Sequence, residues 1–425
     1  MTSALIADLK WRGAFAQSTD EVELAKHLDS GSRTLYIGFD PTAPSLHLGN
    51  LVQMTMLRRF QLAGHKPIAL VGGATGLVGD PSGRSAERTL NDEEIVAQWL
   101  ERIRKQLEGF LDFKAPKNAA TMANNLDWTA PVSALNFLRD IGKHFSVNQM
   151  LAKDSVSARL ESGGISYTEF SYQVLQAYDF LELFRRANCT LQLGGSDQWG
   201  NITAGLDLIR KVTGESAYAL SVPLLTKSDG EKFGKTVTGS IWLDPTMTSP
   251  YAFYQFFINS DDRDVAKLLK IFSFKTHVEI EELLKSLATN PGAREAHRAL
   301  AQELTTSIHG EAACTKVEAA AKALFGQGEI TDLDIDTLAG ALAELPRTTI
   351  NSSSEIPTWV DLIVATGVCE SKSAARRIIK EGGAYLNNKK IATEDFAPTS
   401  ADLIAGKFLI LRKGKRDLAA VELIK

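Results

Sequence analysis

Leu35-Tyr36-Ile37-Gly38-Phe39-Asp40-Pro41-Thr42-Ala43-Pro44-Ser45-Leu46-His47-Leu48-Gly49-Asn50 is the stretch on which the fold turns. Leu35 to Phe39 is an apolar run too short for a helix, and Asp40-Pro41 and Pro44 end it, so it predicts a buried strand. From Leu46 to Ala63 the apolar residues Leu48, Leu51, Val52, Met56, Leu57 and Phe60 recur at helical spacing. Ser45 is available as the N-cap of that helix and Gly64 stops it. Pro67-Ile68-Ala69-Leu70-Val71 is a second apolar strand, running into Gly72-Gly73-Ala74-Thr75-Gly76. Strand, helix, strand is a βαβ unit, so the fold class is α/β, a parallel sheet flanked by helices.

The same reading extends outward. Asn91 to Phe110 predicts a helix opened by an Asn cap and an acidic first turn. Thr190 to Leu193 predicts a strand before Gly194-Gly195, and Asn201 to Val212 a further helix. Past Pro250 the chain becomes rich in Ala, Leu, Glu and Lys, and Asp261 to Phe325 reads as all-helical. Residues 1–245 are therefore expected to form the α/β domain and 246–345 a helical one. The serine-rich segment 346–356 reads as a flexible linker, and 357–425 as a small α+β module. That module is expected to hold helices over Thr358–Thr366 and Ser371–Glu381 and a hairpin turning at Asn387-Asn388.

Of the 425 residues 44% are hydrophobic and 23% charged, which excludes a disordered or fibrous chain. No apolar run approaches the ~18 residues of a membrane-spanning helix, and the first residues lack the basic-then-apolar order of a signal peptide. Cys189, Cys314 and Cys369 lie far apart, without the spacing of a disulfide framework or a zinc site, and read as buried or half-buried thiols. A soluble, cytoplasmic protein is expected. The net charge of −4 hides an asymmetry: residues 356–425 carry twelve Lys and Arg against eight acids, a net +4 that leaves −8 for the rest. A basic tail on an acidic body fits a polyanionic partner, and charge alone fits a solvated face equally well.

Two segments could cradle phosphate. Gly72 to Gly79 is glycine-rich, but Asp80 follows where a P-loop has Lys, and Val71 occupies the first glycine position of a dinucleotide motif; nucleotide binding and tight strand–helix packing both remain open. His47-Leu48-Gly49-Asn50 opens a helix after a parallel strand, where helix N–H groups favour an anion, a glycine permits close approach and an imidazole donates. Nearly two hundred residues later, Lys232-Phe233-Gly234-Lys235-Thr236 places two cations about a glycine.

In this order and spacing the two motifs resemble the H-I-G-H and K-M-S-K-S signatures of class I aminoacyl-tRNA synthetases. Tyr36 to Ala43, Val71 to Gly76, Ser171-Tyr172-Gln173-Val174-Leu175-Gln176-Ala177-Tyr178-Asp179 and Gly194-Gly195-Ser196-Asp197-Gln198-Trp199-Gly200-Asn201 resemble the bacterial-type tyrosyl-tRNA synthetase family. The resemblance covers nearly the whole chain and makes 1–245 a Rossmann-like catalytic domain with ATP and tyrosine sites. It makes 246–345 an anticodon-side domain and 357–425 a ribosomal-protein-like RNA-binding module. Three departures stand out: Asn50 replaces a histidine, the second motif reads Lys-Phe-Gly-Lys-Thr, and Arg84 stands where relatives often have lysine, a change of geometry more than of charge.

The resemblance implies activation of L-tyrosine by ATP, with Mg2+ travelling on the nucleotide and no prosthetic group, then transfer to tRNA(Tyr). It implies Tyr36 and Asp179 at the phenolic hydroxyl, and Asp80, Tyr172 and Gln176 about the ammonium group. Asp40 and Gln198 would lie near the α-phosphate and carboxylate, Asp197 at the ribose, and Gly38, Gly49, Asn50 and Gly195 along the nucleotide. Thr42, His47, Lys232, Lys235 and Thr236 would stabilise the transition state, with Arg84 and Arg88 joining from a loop. Lys372, Arg376, Arg377 and Lys380 recur at helical spacing and would contact RNA phosphates. The family's dimeric habit implies a homodimer, with its interface expected within Leu135–Leu151, and no protein-held metal or membrane contact. A small-molecule nucleotidyltransferase would need neither the helical domain nor the basic tail, and a catalytically inactive RNA-binding relative would not need His47, Lys232 and Lys235. A tryptophan-specific relative is disfavoured by Tyr36 with Asp179.

Overall fold

The computed structural model describes residues 3–82, 92–153, 156–157, 160, 164–230, 233–236, 239–324, 330, 333–351, 355–414 and 417–424, with backbone only at 235 and 236. It divides into two compact units, residues 1–244 with 260–296, and residues 245–259 with 297–425.

The first unit is built on β1 (Gln17–Ser18), β2 (Thr34–Phe39), β3 (Lys66–Val71), β4 (Thr121–Asn124), β5 (Cys189–Gly195) and β6 (Tyr218–Val222). Their order is β1-β6-β5-β2-β3-β4, with every neighbour parallel except β1. The expected βαβ unit is its centre: β2, the helix Leu48–Leu62, and β3 beside β2. Leu35, Phe39, Leu51, Leu57 and Phe60 are each no more than 1% exposed, so the apolar spacing in the sequence is the interface between helix and sheet. Each such burial contributes about 1.5–3 kcal/mol. From β2 the chain builds outward to β3 and β4, then returns to lay β5 on the other side of β2. The order reverses between β2 and β5, and in an open parallel sheet the ligand crevice lies outside the carboxyl ends of the strands at that point.

Two helix starts differ from expectation. The first helix begins at Leu48 with His47 as its N-cap, not Ser45. The Ser45 hydroxyl is committed elsewhere, accepting from Gln106 Nε2 at 2.9 Å and from the Asp244 N–H at 3.1 Å. The second is capped by Asp92, whose carboxylate accepts from the Ile95 N–H at 3.0 Å; Asn91 lies outside the described residues.

The first cut falls at 244/245, beside the boundary expected at 245/246, but residues 260–296, with the helices Asp262–Phe272 and His277–Thr289, belong with the α/β body rather than with the helical unit. Two buried arginines hold the end of the first of these. Arg12 donates to the carbonyls of Lys270, Ser273 and Lys275 at 2.9–3.1 Å, and Arg59 to those of Ile271 and Ser273 at 2.9 and 2.6 Å. The last carbonyls of a helix have no partner of their own and favour cations, so two guanidinium groups there fasten the helix to the body.

The second unit contains the helices Pro250–Ile258, Glu311–Leu324 and Ile335–Ala343 and a five-stranded sheet. The first unit also holds the two-stranded ribbon β7 (Lys235–Thr236) and β8 (Gly239–Ser240), and the five-stranded sheet of the second unit comprises β9 (Arg347–Asn351), β10 (Ala384–Leu386), β11 (Lys389–Lys390), β12 (Phe408–Lys413) and β13 (Asp417–Ile424), in the order β11-β10-β12-β13-β9. The helices Trp359–Ala365 and Lys372–Lys380 cover one face through Trp359, Ile363, Ile379, Leu409, Leu411 and Val421. The hairpin turns at Asn387 and Asn388, both at positive φ, as a two-residue turn of the primed type requires. Residues 347–351 are not a flexible linker: they pair with β13 in parallel, from Arg347 opposite Ala420 to Asn351 opposite Ile424. The run Thr348-Thr349-Ile350 is β-branched and half-buried on alternate residues, a strand signal that the neighbouring serines obscured. Ser352 to Ser354 lie outside the described residues.

Candidate active site

A cavity of about 280 Å³ opens at the β2/β5 crevice. Tyr36, Asp80, Tyr172, Gln176, Asp179 and Gln198 all line it, as do Gly38, Asp40, Thr42, His47, Asn50 and Asp197. The structure thus brings together residues that the sequence scatters over more than 160 positions. Gly49 and Gly195 are beside it rather than in its wall: a Cβ on Gly49 would stand 2.8 Å from the His47 ring, and one on Gly195 2.5 Å from Asp197 Oδ1. Arg84, Arg88 and Lys232 lie outside the described residues, and Lys235 and Thr236 are placed as backbone, forming the short strand β7.

The deep end is preorganised around Asp179, which the helix Tyr167–Ala187 presents and which is 2% exposed. Its Oδ2 accepts from Asn125 Nδ2 at 2.9 Å and its Oδ1 from Trp128 Nε1 at 2.8 Å. Asn125 is fixed in turn by Thr75 Oγ1, which it donates to at 2.9 Å, and by the Ala74 N–H, from which its Oδ1 accepts at 2.7 Å. Burial raises the Asp179 carboxyl from 3.8 to about 7, against the pull of those two hydrogen bonds and with the charges of Asp40 and Glu182 adding to the rise. Tyr36 is 1% exposed, and burial, with Asp179 beside it, holds its phenol protonated well above the ordinary value. Its hydroxyl has no hydrogen-bond partner among the described residues. Nor has Oε1 of Gln192, which stands opposite Tyr36 in the β2–β5 register and lines the same wall. An unpaired buried polar atom costs about 1–3 kcal/mol; two side by side in a cavity wall call for a polar ligand.

Above this end, Tyr172 donates to Asp40 Oδ2 at 2.6 Å and Thr75 Oγ1 donates to Asp40 Oδ1 at 2.7 Å. Gln198 Nε2 donates to Asp80 Oδ2 at 2.7 Å, and Asn201 Nδ2 donates to Gln198 Oε1 at 3.2 Å. Four carboxylates line the cavity (Asp40, Asp80, Asp179 and Asp197), and among the described residues no Lys or Arg does. Such a field attracts an ammonium group and requires cations from outside for a polyphosphate.

At the mouth, His47 caps its helix: Nδ1 accepts from the Gly49 N–H at 3.0 Å, which assigns the proton of the neutral ring to Nε2. The Asn50 side-chain oxygen Oδ1 completes the capping box by accepting from the His47 N–H at 3.1 Å. The second motif is stitched to this point. Ile241 donates to the Gly234 carbonyl at 2.9 Å and accepts from the Leu48 N–H at 3.1 Å, and Trp242 faces the His47 ring at 5.9 Å. Gly234 sits at φ +81° with a Cβ position 2.8 Å from Leu48 Cβ, so glycine is required twice over.

The glycine-rich segment is tightly packed, and its Gly72 also lines the cavity. A Cβ on Gly72 would collide with Asp40 and Thr75, one on Gly73 with Asn124, and one on Gly76 would stand 2.6 Å from Pro41 Cγ. The glycines let cavity side chains close on the backbone. Sequence reasoning missed Asn125, Trp128, Thr75 and Gln192. The signal for Gln192 was present: an amide at the centre of the apolar strand Leu191-Gln192-Leu193. Asn125 and Trp128 follow β4, whose place beside β3 no local pattern announces.

In the second unit Lys372, Arg376, Arg377 and Lys380 lie on one short exposed helix, each ion-paired: Lys372 with Asp361 at 2.6 Å, Arg376 and Lys380 with Glu394 at 3.6 and 3.1 Å, and Arg377 with Glu381 at 3.8 Å.

Comparison with known proteins gives the family. Residues 29–326 match the family described as tRNA synthetases class I (W and Y), and residues 337–421 the tyrosine–tRNA ligase SYY-like C-terminal domain. A tyrosine–tRNA ligase of Streptomyces avermitilis is 60% identical over 98% of both chains, and one of Mycobacterium bovis 54% identical over the full length of both. The crystal structure of a C-terminally truncated mitochondrial tyrosyl-tRNA synthetase from Aspergillus nidulans superposes with a TM-score of 0.68 at 30% identity, covering 76% of this chain and 94% of its own. With its parallel sheet, its two motifs meeting at the helix start and its matched C-terminal module, the chain belongs to the class I tRNA synthetases, in their bacterial-type tyrosyl branch.

Proposed function

We propose that this chain is a tyrosine–tRNA ligase that uses the β2/β5 cavity to make tyrosyl-AMP and then passes tyrosine to the 3′ end of tRNA(Tyr). The observation that carries this reading is the Tyr36 hydroxyl, buried without a partner beside Asp179 at the closed end of the cavity. A phenol accepting from Tyr36 pairs that hydroxyl, and by donating to the Asp179 carboxylate it adds to the bonds from Asn125 and Trp128. A phenylalanine ring would leave the Tyr36 hydroxyl unpaired, a mismatch worth about 10⁴–10⁵ in selectivity; tyrosyl-tRNA synthetase is itself the system from which that figure comes. Asp80 and Gln176 receive the ammonium group beside Tyr172, whose bond to Asp40 fixes the wall between amino acid and α-phosphate.

In the first step a carboxylate oxygen of tyrosine attacks the α-phosphorus and the bond to pyrophosphate breaks. The nucleophile is already ionised at neutral pH, so no general base is required. The chain supplies alignment and cover for charge moving onto the leaving group. His47 Nε2–H and the hydroxyl of Thr42 act from the mouth, with Lys232, Lys235 and Thr236 from the second motif and Arg84 and Arg88 from the segment after Asp80. Asp197 holds the ribose, Gly38, Gly49 and Gly195 admit the nucleotide, and Asn50 and Gln198 complete the polar wall. Mg2+ enters on ATP as part of the substrate.

The module over 357–425 holds tRNA phosphates through Lys372, Arg376, Arg377 and Lys380. The working assembly is a homodimer joined through 135–151, where Leu135, Leu138 and Val147 are 80%, 54% and 57% exposed. The compartment is the cytoplasm; no helix among the described residues is long and apolar enough to cross a membrane. Steady-state charging tests the whole reading: tRNA(Tyr) acquires tyrosine and not phenylalanine, and folded protein that charges neither overturns it.

A further inference from the structure

The second motif is held from below by a helix that the sequence assigns to a different domain. Asp264 lies in the first turn of Asp262–Phe272 and is 9% exposed, and both its oxygens accept from Ser228, from the N–H at 2.8 Å and from the hydroxyl at 3.4 Å. A turn later on the same helix Lys267 donates to the Thr226 carbonyl at 3.2 Å. At the helix end the Phe272 ring stands 6.0 Å from Phe233, which is itself only 8% exposed. The gripped segment is closed on itself by the Phe233 N–H, which donates to the Leu225 carbonyl at 3.1 Å. Directly beyond Phe233 come Gly234, seated on Leu48, and the strand carrying Lys235. The far end of the helix is anchored by Arg12 and Arg59, and Arg59 lies on the Leu48–Leu62 helix itself, so both sides of the grip are referred to the same element.

We propose that Asp264 is a positioning residue for adenylate formation: by fixing Ser228 it sets where Phe233-Gly234-Lys235 lies against the start of the Leu48–Leu62 helix. A carboxylate taken out of water is stabilised only if its oxygens are satisfied, and here both are spent on one loop residue rather than on a fold-wide network. Neither Asp264 nor Ser228 lines the cavity, so the effect falls on the chemical step and not on amino-acid binding. The inference rests on the ligase reading and on Lys235 serving the transition state.

The test compares Asp264→Ala with Asp264→Asn, which keeps an acceptor for the Ser228 N–H. Single-turnover formation of tyrosyl-adenylate at saturating tyrosine and ATP is expected to fall about 10- to 100-fold in Asp264→Ala, as a misplacement of ~1 Å would produce. Asp264→Asn is expected to recover most of the loss, with the tyrosine dissociation constant unchanged in both. Asp264→Ser, too short to reach Ser228 but able to hydrate, carries the same expectation as Asp264→Ala and serves if that variant does not fold. A wild-type rate in Asp264→Ala or Asp264→Ser, an Asp264→Asn as slow as they are, or an equal loss of tyrosine affinity overturns the proposal. Wild-type protein with no tyrosine-dependent adenylate would instead sink the ligase reading itself, so the two failures are distinguishable.

Discussion

The cavity at the β2/β5 crevice and the basic helix Lys372–Lys380 are both polar sites, and they are built in opposite ways. In the cavity the polar groups are buried, and two of them, the Tyr36 hydroxyl and Gln192 Oε1, have no partner among the described residues and await one from a ligand. On the basic helix the cations are exposed and already paired with nearby acids. Burial makes the first site expensive to misfill and hence selective. Exposure makes the second cheap to rearrange, since surface ion pairs contribute little and exchange readily for phosphates. On the proposed function, discrimination among amino acids belongs to the first region and adjustable grip on a polyanion to the second.

The largest effect that would break this contrast concerns the mouth of the cavity. Lys235→Ala is expected to lower the rate of tyrosine-dependent pyrophosphate exchange about 10²–10³-fold, the usual loss for a group stabilising transition-state charge, with tyrosine affinity unchanged by equilibrium binding. Tyr36→Phe removes one hydrogen bond at the closed end and should raise KM for tyrosine about tenfold while making phenylalanine a better substrate, since no buried hydroxyl is then left unpaired. Steady-state exchange with both amino acids separates the two effects.

The raised Asp179 carboxyl sharpens the contrast through pH. The fold holds a proton there that the unfolded chain has lost, so this group withdraws stability as pH rises from 3.8 to about 7, and the full penalty stands above that. With Asn125 and Trp128 already donating to its two oxygens, the carboxyl accepts a phenol more strongly when ionised, so KM for tyrosine should climb as pH falls below about 7. Asp40, Glu182, Tyr36, Tyr172, Asn125 and Trp128 surround the group. Asp179→Asn should flatten that limb of the profile, and a limb that survives the substitution would assign it to another of these. The smallest effect is expected on the basic helix. Lys380→Ala should weaken tRNA binding only a few-fold and reduce the salt slope by about one, without touching exchange.

How much of this was legible in the sequence follows the range of the forces. The βαβ unit was legible because apolar spacing reports on one element at a time, and Leu48 to Phe60 show their buried face directly. The His47 and Lys235 segments were legible as motifs, although the capping role of His47 required knowing that Ser45 is occupied by Gln106 and Asp244. Asn125 and Trp128 were not, because their function is to hold Asp179, a partner more than fifty positions away on another element. The boundary at residue 260 was hidden for the same reason: the guanidinium groups of Arg12 and Arg59 that fasten the helix are each over two hundred residues from the carbonyls they satisfy. The strand Arg347–Asn351 was masked by the serines beside it, although its own residues are β-branched.

The measurement that tests the account most directly is exchange of labelled pyrophosphate into ATP without tRNA, with tyrosine, phenylalanine or tryptophan as the only amino acid. The account predicts exchange with tyrosine alone, with phenylalanine and tryptophan at background. Comparable exchange with phenylalanine would contradict the assignment of Tyr36 and Asp179 as the phenol-reading pair, and silence with all three from folded protein would contradict the ligase itself.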